Sequence, residues 1–403
     1  MLLTKLDQAL LPYEEKLCAQ ERWRKKIGIK EVDRPTYEKY IIGPIRRFDY
    51  RRNAFMASTP GNPVGEEMRR RFKARTGLDA AIPLPPPPYS ELEPEDRIGY
   101  SFYTAARRLC RDYHPQPLPV TPPEGQVEVT DKAQMSRLIK KAALFFGAEL
   151  VRITRVDPRW IYEGSEVPHS YAIVSVVPHV NSLTNTAPSH YSGTAVGATY
   201  SRLKFITTQL TDFICLLGYD AMYRETLGYM KMDLMMVPTA IDAGVGEFAR
   251  NGHVLSPEFG INMRMKAVST DLPLEVDKPI SFGAHEFCMS CEQCAVHCPG
   301  RAIPFGPPTE QVVDPLYNNP GYRKWYVNAE RCLSFWTVNR KKWGTCGGRC
   351  IAFCPWNKPK NPFHNTVRWA AIHAPQAVKK LLVRGDKFYH RQALKGSSRY
   401  PAA

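Results

Sequence analysis

Along this chain apolar residues step by three and four in some stretches and run unbroken in others, and the two patterns alternate. Met135, Leu138, Ile139 and Ala142 follow Thr130-Asp131-Lys132 and stop at Gly147, which predicts an amphipathic helix opened by a side-chain cap. Tyr171 to Val177 (YAIVSVV) is a short continuous apolar run and predicts a strand buried on both faces. Leu203, Ile206, Leu210, Phe213 and Leu217 return to helical spacing and end at Gly218. Leu234 to Val237, His253 to Leu255 and Met263 to Val268 read as further strands, and Pro238 to Asp242 as a helix. Helices alternating with buried strands predict a layered α/β (α+β) domain.

Proline punctuates this pattern. The chain has 35 prolines, and Pro83 to Pro88 and Pro115 to Pro123 favour stiff extended segments over packed elements. They set off an amino-terminal unit, residues 1–128, from the layered domain at 129–280; a cysteine-rich unit at 281–358 and a basic extension at 359–403 follow. The 43% apolar content supports a sizeable core, and no apolar run approaches the roughly 18 residues of a membrane span. The start, MLLTKLDQALLPYEEKLCAQERWRKK, lacks the basic, apolar and small-residue succession of an export signal, and the arginine pairs further on lack the apolar segment of a twin-arginine signal. Two expectations remain: a cytoplasmic chain, or a mature chain whose targeting segment has been removed. The net charge of +16 suits nucleic acid, an anionic membrane or an acidic redox partner. The basic residues are nevertheless dispersed, which favours a basic solvated surface with no nucleic-acid partner.

Eight of the 11 cysteines fall in two blocks: Cys288, Cys291, Cys294 and Cys298 before Pro299, then Cys332, Cys346, Cys350 and Cys354 before Pro355. The first block is the C-x-x-C-x-x-C-x-x-x-C-P run of two-cluster ferredoxins, in which the fourth thiolate crosses to the other 4Fe-4S cluster. Cys288, Cys291, Cys294 and Cys354 are then expected on one cluster, and Cys332, Cys346, Cys350 and Cys298 on the second. A zinc site or disulfides are the alternatives. The C-x-x-x-C spacing of Cys346 and Cys350 is one residue long, and Gly347 and Gly348 would let the chain bulge there. Cys18, Cys110 and Cys215 are left over and read as small buried thiols.

Clusters store and relay electrons, so the larger domain should carry what consumes them. Gly197-Ala198-Thr199-Tyr200-Ser201, Leu217-Gly218-Tyr219-Asp220-Ala221, Ala243 to Gly252 (AGVGEFARNG), Ser256 to Gly260 and Thr270 to Leu274 resemble, in order and spacing, the corrinoid domain of reductive dehalogenases. Ile45 to Phe55 is similar to that family's amino-terminal segment, and the likeness continues through Cys354-Pro355-Trp356-Asn357-Lys358-Pro359.

The resemblance implies a nitroreductase-like layered corrinoid domain followed by a bacterial ferredoxin-like domain. It also implies a corrinoid of cobalamin or nor-pseudo type held base-off, two 4Fe-4S clusters, and two-electron cleavage of a carbon–halogen bond in an organohalide. Tyr200, at the start of its helix, would be the proton donor and Arg264 the cation that stabilises its phenolate. Thr226 or Lys231 would occupy a third pocket position. Asn262 and the glycines of Gly244-Val245-Gly246 would approach the corrin, with His364 and Phe55 as further contacts; Tyr100, Tyr103 and Trp336 are candidate pocket aromatics. The Gly244 to Ala249 stretch also matches G-x-G-x-x-A, but without the preceding strand that a dinucleotide site needs. A D-x-H-x-x-G corrinoid motif is absent. Family partners would be a small integral-membrane anchor protein at the outer face of the cytoplasmic membrane, a low-potential electron donor, and a second copy in a homodimer. The competing readings are an epoxyqueuosine reductase-like tRNA-modifying enzyme, which would use an aspartate donor, and a non-catalytic ferredoxin-type electron carrier.

Overall fold

A computed structural model describes residues 2–58, 61–78, 92, 94–112, 118–120, 125–223, 233–339 and 348–395. At its centre is an antiparallel sheet whose strands lie side by side in the order Leu150–Arg155 (β2), Tyr171–Pro178 (β3), Met263–Thr270 (β7) and Ala221–Tyr223 (β4); Glu247–Phe248 (β5) and Val254–Leu255 (β6) pair separately. The apolar run of β3 is buried along nearly its whole length because both its neighbours are strands and both sheet faces are covered. One face packs Ile153, Ile173, Val177 and Val268 against Leu138 and Ile139 of helix Lys132–Phe145 and Leu203, Ile206, Leu210 and Ile214 of helix His190–Leu216. The other packs Leu150, Val174 and Val176 against Trp160, Ala240, Ile241 and Val245. The layered expectation holds, with every strand pair of this sheet antiparallel.

Helix Lys132–Phe145 starts as its sequence indicates, with the Asp131 carboxylate accepting from the Ala133 and Gln134 amides. Helix His190–Leu216 starts much earlier than its apolar spacing does. A capping box of Ser189 and Ser192 opens it, so Tyr200 lies in its third turn and not at its start. Its first turns are rich in small residues: a Cβ on Gly197 would stand 2.3 Å from Arg107 Cγ of helix Pro94–Asp112, so glycine lets the two helices close on each other. Leu234 to Val237 is not a strand. Leu234 makes a single bridge to Ile161, and the chain turns directly into helix Met236–Asp242, whose first turn accommodates Pro238 because no amide is needed there.

The amino-terminal segment is tied into this body. Helix Leu11–Ile27 ends on Gly28 in the left-handed region, and β1 (Lys30–Glu31) pairs with β8 (Ile280–Ser281) just before the first cysteine block. A third core gathers Phe282, Phe287, Trp325 and Trp356 around Cys288, Cys291 and Cys354. The prolines 83–88, most of 115–123, and Thr226, Lys231 and Cys346 lie outside the described residues.

Candidate active site and cluster pocket

Helix Ala284–Cys291 carries Cys288 and Cys291, the short helix Gln293–Val296 carries Cys294, and Cys354 follows helix Arg349–Ala352. These four thiols, assigned to one cluster on spacing alone, line one cavity together with Ala249, Arg250, Asn251, Leu255 and Ile261. Burial pushes the Cys288 thiol up to about 11 and that of Cys291 to about 12, the proximity of Cys288 adding to the latter. Cys294 and Cys354 are raised by burial and then by the neighbouring thiols. A ligand that draws four such thiols to thiolates must bring compensating positive charge, as an iron–sulfur core does. Among the described residues no three His, Cys, Asp or Glu side chains gather as ligands of one metal ion, and the described cysteines are free of disulfides.

Of the second set, Cys298, Cys332 and Cys350 are half-buried. Cys298 Sγ accepts a hydrogen bond from the Ala302 amide (3.2 Å). Cys350 is near enough to Cys294 to help raise its thiol, so the two sets adjoin. Gly348, with φ of 84°, caps helix Arg349–Ala352 in the left-handed region; Gly347 lies outside the described residues.

On the other side of the cavity wall the sheet and its long helix bring Tyr200 and Arg264 together. Arg264 and Lys266, two residues apart on β7, project to the same face, and their charges lie 5.7 and 6.0 Å from the centroid of the Tyr200 ring. Lys266 escaped the sequence reading; its signal is the alternation with Arg264 along the strand. Opposite Arg264 in the ladder is Val177, two residues before His179. His179 Nδ1 meets Thr199 Oγ1 (2.9 Å), next to Tyr200, and Thr199 Oγ1 is also placed to donate to the Ala195 carbonyl (2.8 Å). With the threonine proton used there, we assign the histidine proton to Nδ1, leaving Nε2 as a buried acceptor without a protein partner. Burial, then Arg264, holds His179 well below the usual histidine range and brings His253 down to about 3. Both rings are neutral at physiological pH.

Asn262 joins this seam to the thiol cavity. Its amide nitrogen donates to the His179 carbonyl (3.3 Å) and to Asn181 Oδ1, while its Oδ1 is buried and unpartnered. Asn251 Nδ2, on the cavity wall, is likewise unpartnered. Unpaired polar atoms buried in a native interior call for a partner, and three along one seam, donor and acceptor alike, fit a group with polar substituents at its rim.

Other sequence candidates fall elsewhere. A Cβ on Gly244 would stand 2.2 Å from the Lys278 carbonyl oxygen, and one on Gly246 2.0 Å from that of Leu255. The close approach that requires glycine at these positions is between protein segments. His364 meets the cap of helix Pro362–His373: Asn361 Oδ1 accepts from its amide (2.8 Å) and lies 2.9 Å from its Nδ1. Phe55 is exposed and tilts against Trp336 at 5.6 Å, at the edge of a separate small core. Tyr100 and Tyr103 pack on His190, at the opening of the Tyr200 helix. Cys215 is buried as expected, whereas Cys18 is half-buried; the side chain of Cys110 is outside the described residues.

Comparison with known proteins agrees with this geometry. Residues 287–358 match the family model of the 4Fe-4S dicluster domain. Over 296 residues the chain is 32% identical to a tetrachloroethene reductive dehalogenase of Desulfitobacterium hafniense, covering 61% of this chain and 52% of that protein. Over 281 residues it is 29% identical to the tetrachloroethene reductive dehalogenase of Sulfurospirillum multivorans, covering 60% and 54%. The chain spans about half the length of the curated relatives it matches. Among solved structures, the catabolic reductive dehalogenase NpRdhA superposes with a TM-score of 0.68 at 24% identity, over 90% of this chain and 48% of that one; this likeness is one of fold.

Proposed function

We propose that this chain, a relative of the reductive dehalogenases in sequence and fold, is itself one: an organohalide, two electrons and a proton give the dehalogenated product and a halide ion. The observation that carries the reading is the convergence of Tyr200, Arg264 and Lys266 beside a cavity lined by four cysteines. The thiols would hold one 4Fe-4S cluster, with Cys298, Cys332, Cys346 and Cys350 on the second, and the unpaired atoms of His179, Asn251 and Asn262 would meet a base-off corrinoid. When bound, the corrinoid supplies a low-valent metal centre for carbon–halogen cleavage and the clusters relay electrons to it singly.

The chain's own residues supply the proton. On this reading the donor is the Tyr200 hydroxyl, Oη. Giving the proton up leaves a phenolate, and Arg264 and Lys266 stabilise that charge from the strand beside it. Neutral His179 and His253 add no competing charge. Thr226 or Lys231 would complete the pocket and bear on substrate choice. The division at residues 128, 280 and 358 belongs to the same reading, as do the low-potential donor, the homodimer and the anchor protein at the outer face of the membrane. No helix among the described residues is long and apolar enough to cross a membrane, so such attachment would come through the anchor.

The deciding experiment reconstitutes the chain with iron, sulfide and hydroxocobalamin and screens chlorinated alkenes and halophenols under a low-potential reductant. Tyr200→Phe should retain cobalt and iron yet lose about 100-fold or more in turnover, the scale of a general acid. Arg264→Leu should be nearly as damaging. Full turnover by Tyr200→Phe removes it as donor; fully loaded protein inert toward every halocarbon and active on epoxyqueuosine tRNA would establish the competing reading.

A further inference from the structure

The most unusual feature outside the reaction centre is a pair of buried guanidiniums. Arg24, on helix Leu11–Ile27, and Arg152, on β2, are 7% and 8% exposed and line a second cavity with Gln20, Glu21, Arg137 and Lys140. Most of their hydrogen-bonding nitrogens are engaged. Arg24 Nε meets Glu258 and its Nη1 donates to the Gly244 carbonyl (2.9 Å). Arg152 Nε donates to the Ala243 carbonyl (3.2 Å) and its Nη1 stands 3.3 Å from Asp277. In each residue Nη2 is buried and has no partner.

The charges around them do not balance. Lys140 Nζ lies 2.7 Å from Asp277, so Arg24, Arg152 and Lys140 share the two carboxylates Glu258 and Asp277, and one positive charge is left over. Arg137 is engaged by Glu14 and Glu21 at the rim, and the next acid, Glu31, is exposed. Arg24 and Arg152 also act on each other: burial, and then the Arg24 charge, are among the causes that lower the Arg152 guanidinium. Two like charges held together out of water need a counter-charge.

We propose that this cavity binds a halide ion between the two free Nη2 groups. The donor geometry selects the class. A carboxylate or phosphate is best held by two parallel N–H groups of one guanidinium, and neither arginine has such a pair free. Two single donors from different directions suit a spherical acceptor. The site is separate from the Tyr200 seam: Arg152 and its neighbour Leu150 lie on the sheet face opposite the His190–Leu216 helix, so the proposal stands whether or not the chain dehalogenates.

Crystals of the reconstituted holoenzyme soaked in sodium bromide should show an anomalous peak between Arg24 Nη2 and Arg152 Nη2. In solution, bromide should raise the melting temperature above that in sodium gluconate of equal ionic strength, because a ligand of the folded state stabilises by mass action, and Arg152→Met should abolish the difference. An ordered water or part of the bound cofactor at that position overturns the proposal, as does equal melting in the two salts. Should Arg152→Met not fold, the diffraction result on the unaltered protein decides.

Discussion

One small helical unit holds both thiol sets, and their surroundings differ. Cys288, Cys291 and Cys354 are each 8% exposed and enclosed by Phe282, Phe287 and Trp356, with Cys294 half-buried beside them; Cys298, Cys332 and Cys350 are all half-buried, Cys350 against the same core. Water screens charge at the outer set, while a charge at the inner one is felt through protein of low dielectric. The inner set also adjoins the Tyr200 seam through Asn251, Ile261 and Asn262. On the proposed function electrons would enter at the wetter set and leave at the drier one, and the fixed charges of the protein should tune the second step far more than the first.

The harshest test of that contrast removes one ligand from each set. Cys354→Ser puts an unmatched hydroxyl where the inner core closes on Trp356, so it should lower iron content to about half and the melting temperature sharply. Cys298→Ser, at a half-buried position, should cost its cluster but leave more of the fold. Iron and sulfide analysis with circular dichroism melting compares them; equal melting losses would dissolve the distinction.

A smaller effect isolates electrostatics. Arg250 is 1% exposed, donates to the Cys288 carbonyl from Nη2 (2.9 Å) and Nε (3.2 Å) and to the Pro304 and Gly306 carbonyls from Nη1 (2.9 and 2.8 Å), and lies 4.6 Å from the centre of the Trp325 ring. A fixed cation on the wall of the inner cavity favours the more negative, reduced cluster. Arg250→Met should therefore shift that cluster to lower potential in an EPR-monitored redox titration and leave the outer one in place, with Arg250→Lys between. A parallel shift of both clusters would show that Arg250 acts through general structure.

How much of this was legible beforehand depended on what each residue touches. The cysteines were, because ligand spacing is a local property, and the thiols paired by that rule do line one cavity. Tyr200 and Arg264 were named as partners through resemblance, but Lys266 became visible only when β7 fixed which residues share a face. At Gly244 and Gly246 a sequence marks a close approach without saying what approaches; the Lys278 and Leu255 backbones do. The early start of the Tyr200 helix was hidden by glycines and threonines that are poor helix formers alone and are retained for contact with the helix Pro94–Asp112. The basic charge read as a solvated surface is partly interior: Arg24, Arg152, Lys204 and Arg250 are all buried.

The smallest expected effect concerns proton linkage on the inner side. His253, desolvated and facing the Arg264 charge, titrates at about 3 in the folded chain, against about 6.5 for a free histidine. Between those values the unfolded chain binds a proton that the folded chain refuses, so stability rises with pH across the window. The contribution is complete above about 6.5 and is lost as pH falls toward 3, at a rate of up to about 1.4 kcal/mol per pH unit. His179 is lowered for the same reasons and adds to the slope. Unfolding by urea at pH 5.5 and 7.5 should show a loss at the lower pH that His253→Gln reduces. If His253→Gln leaves the slope as it was, the dryness of the inner seam is not what sets the histidine behaviour, and the contrast between the two sides of the molecule loses its electrostatic basis.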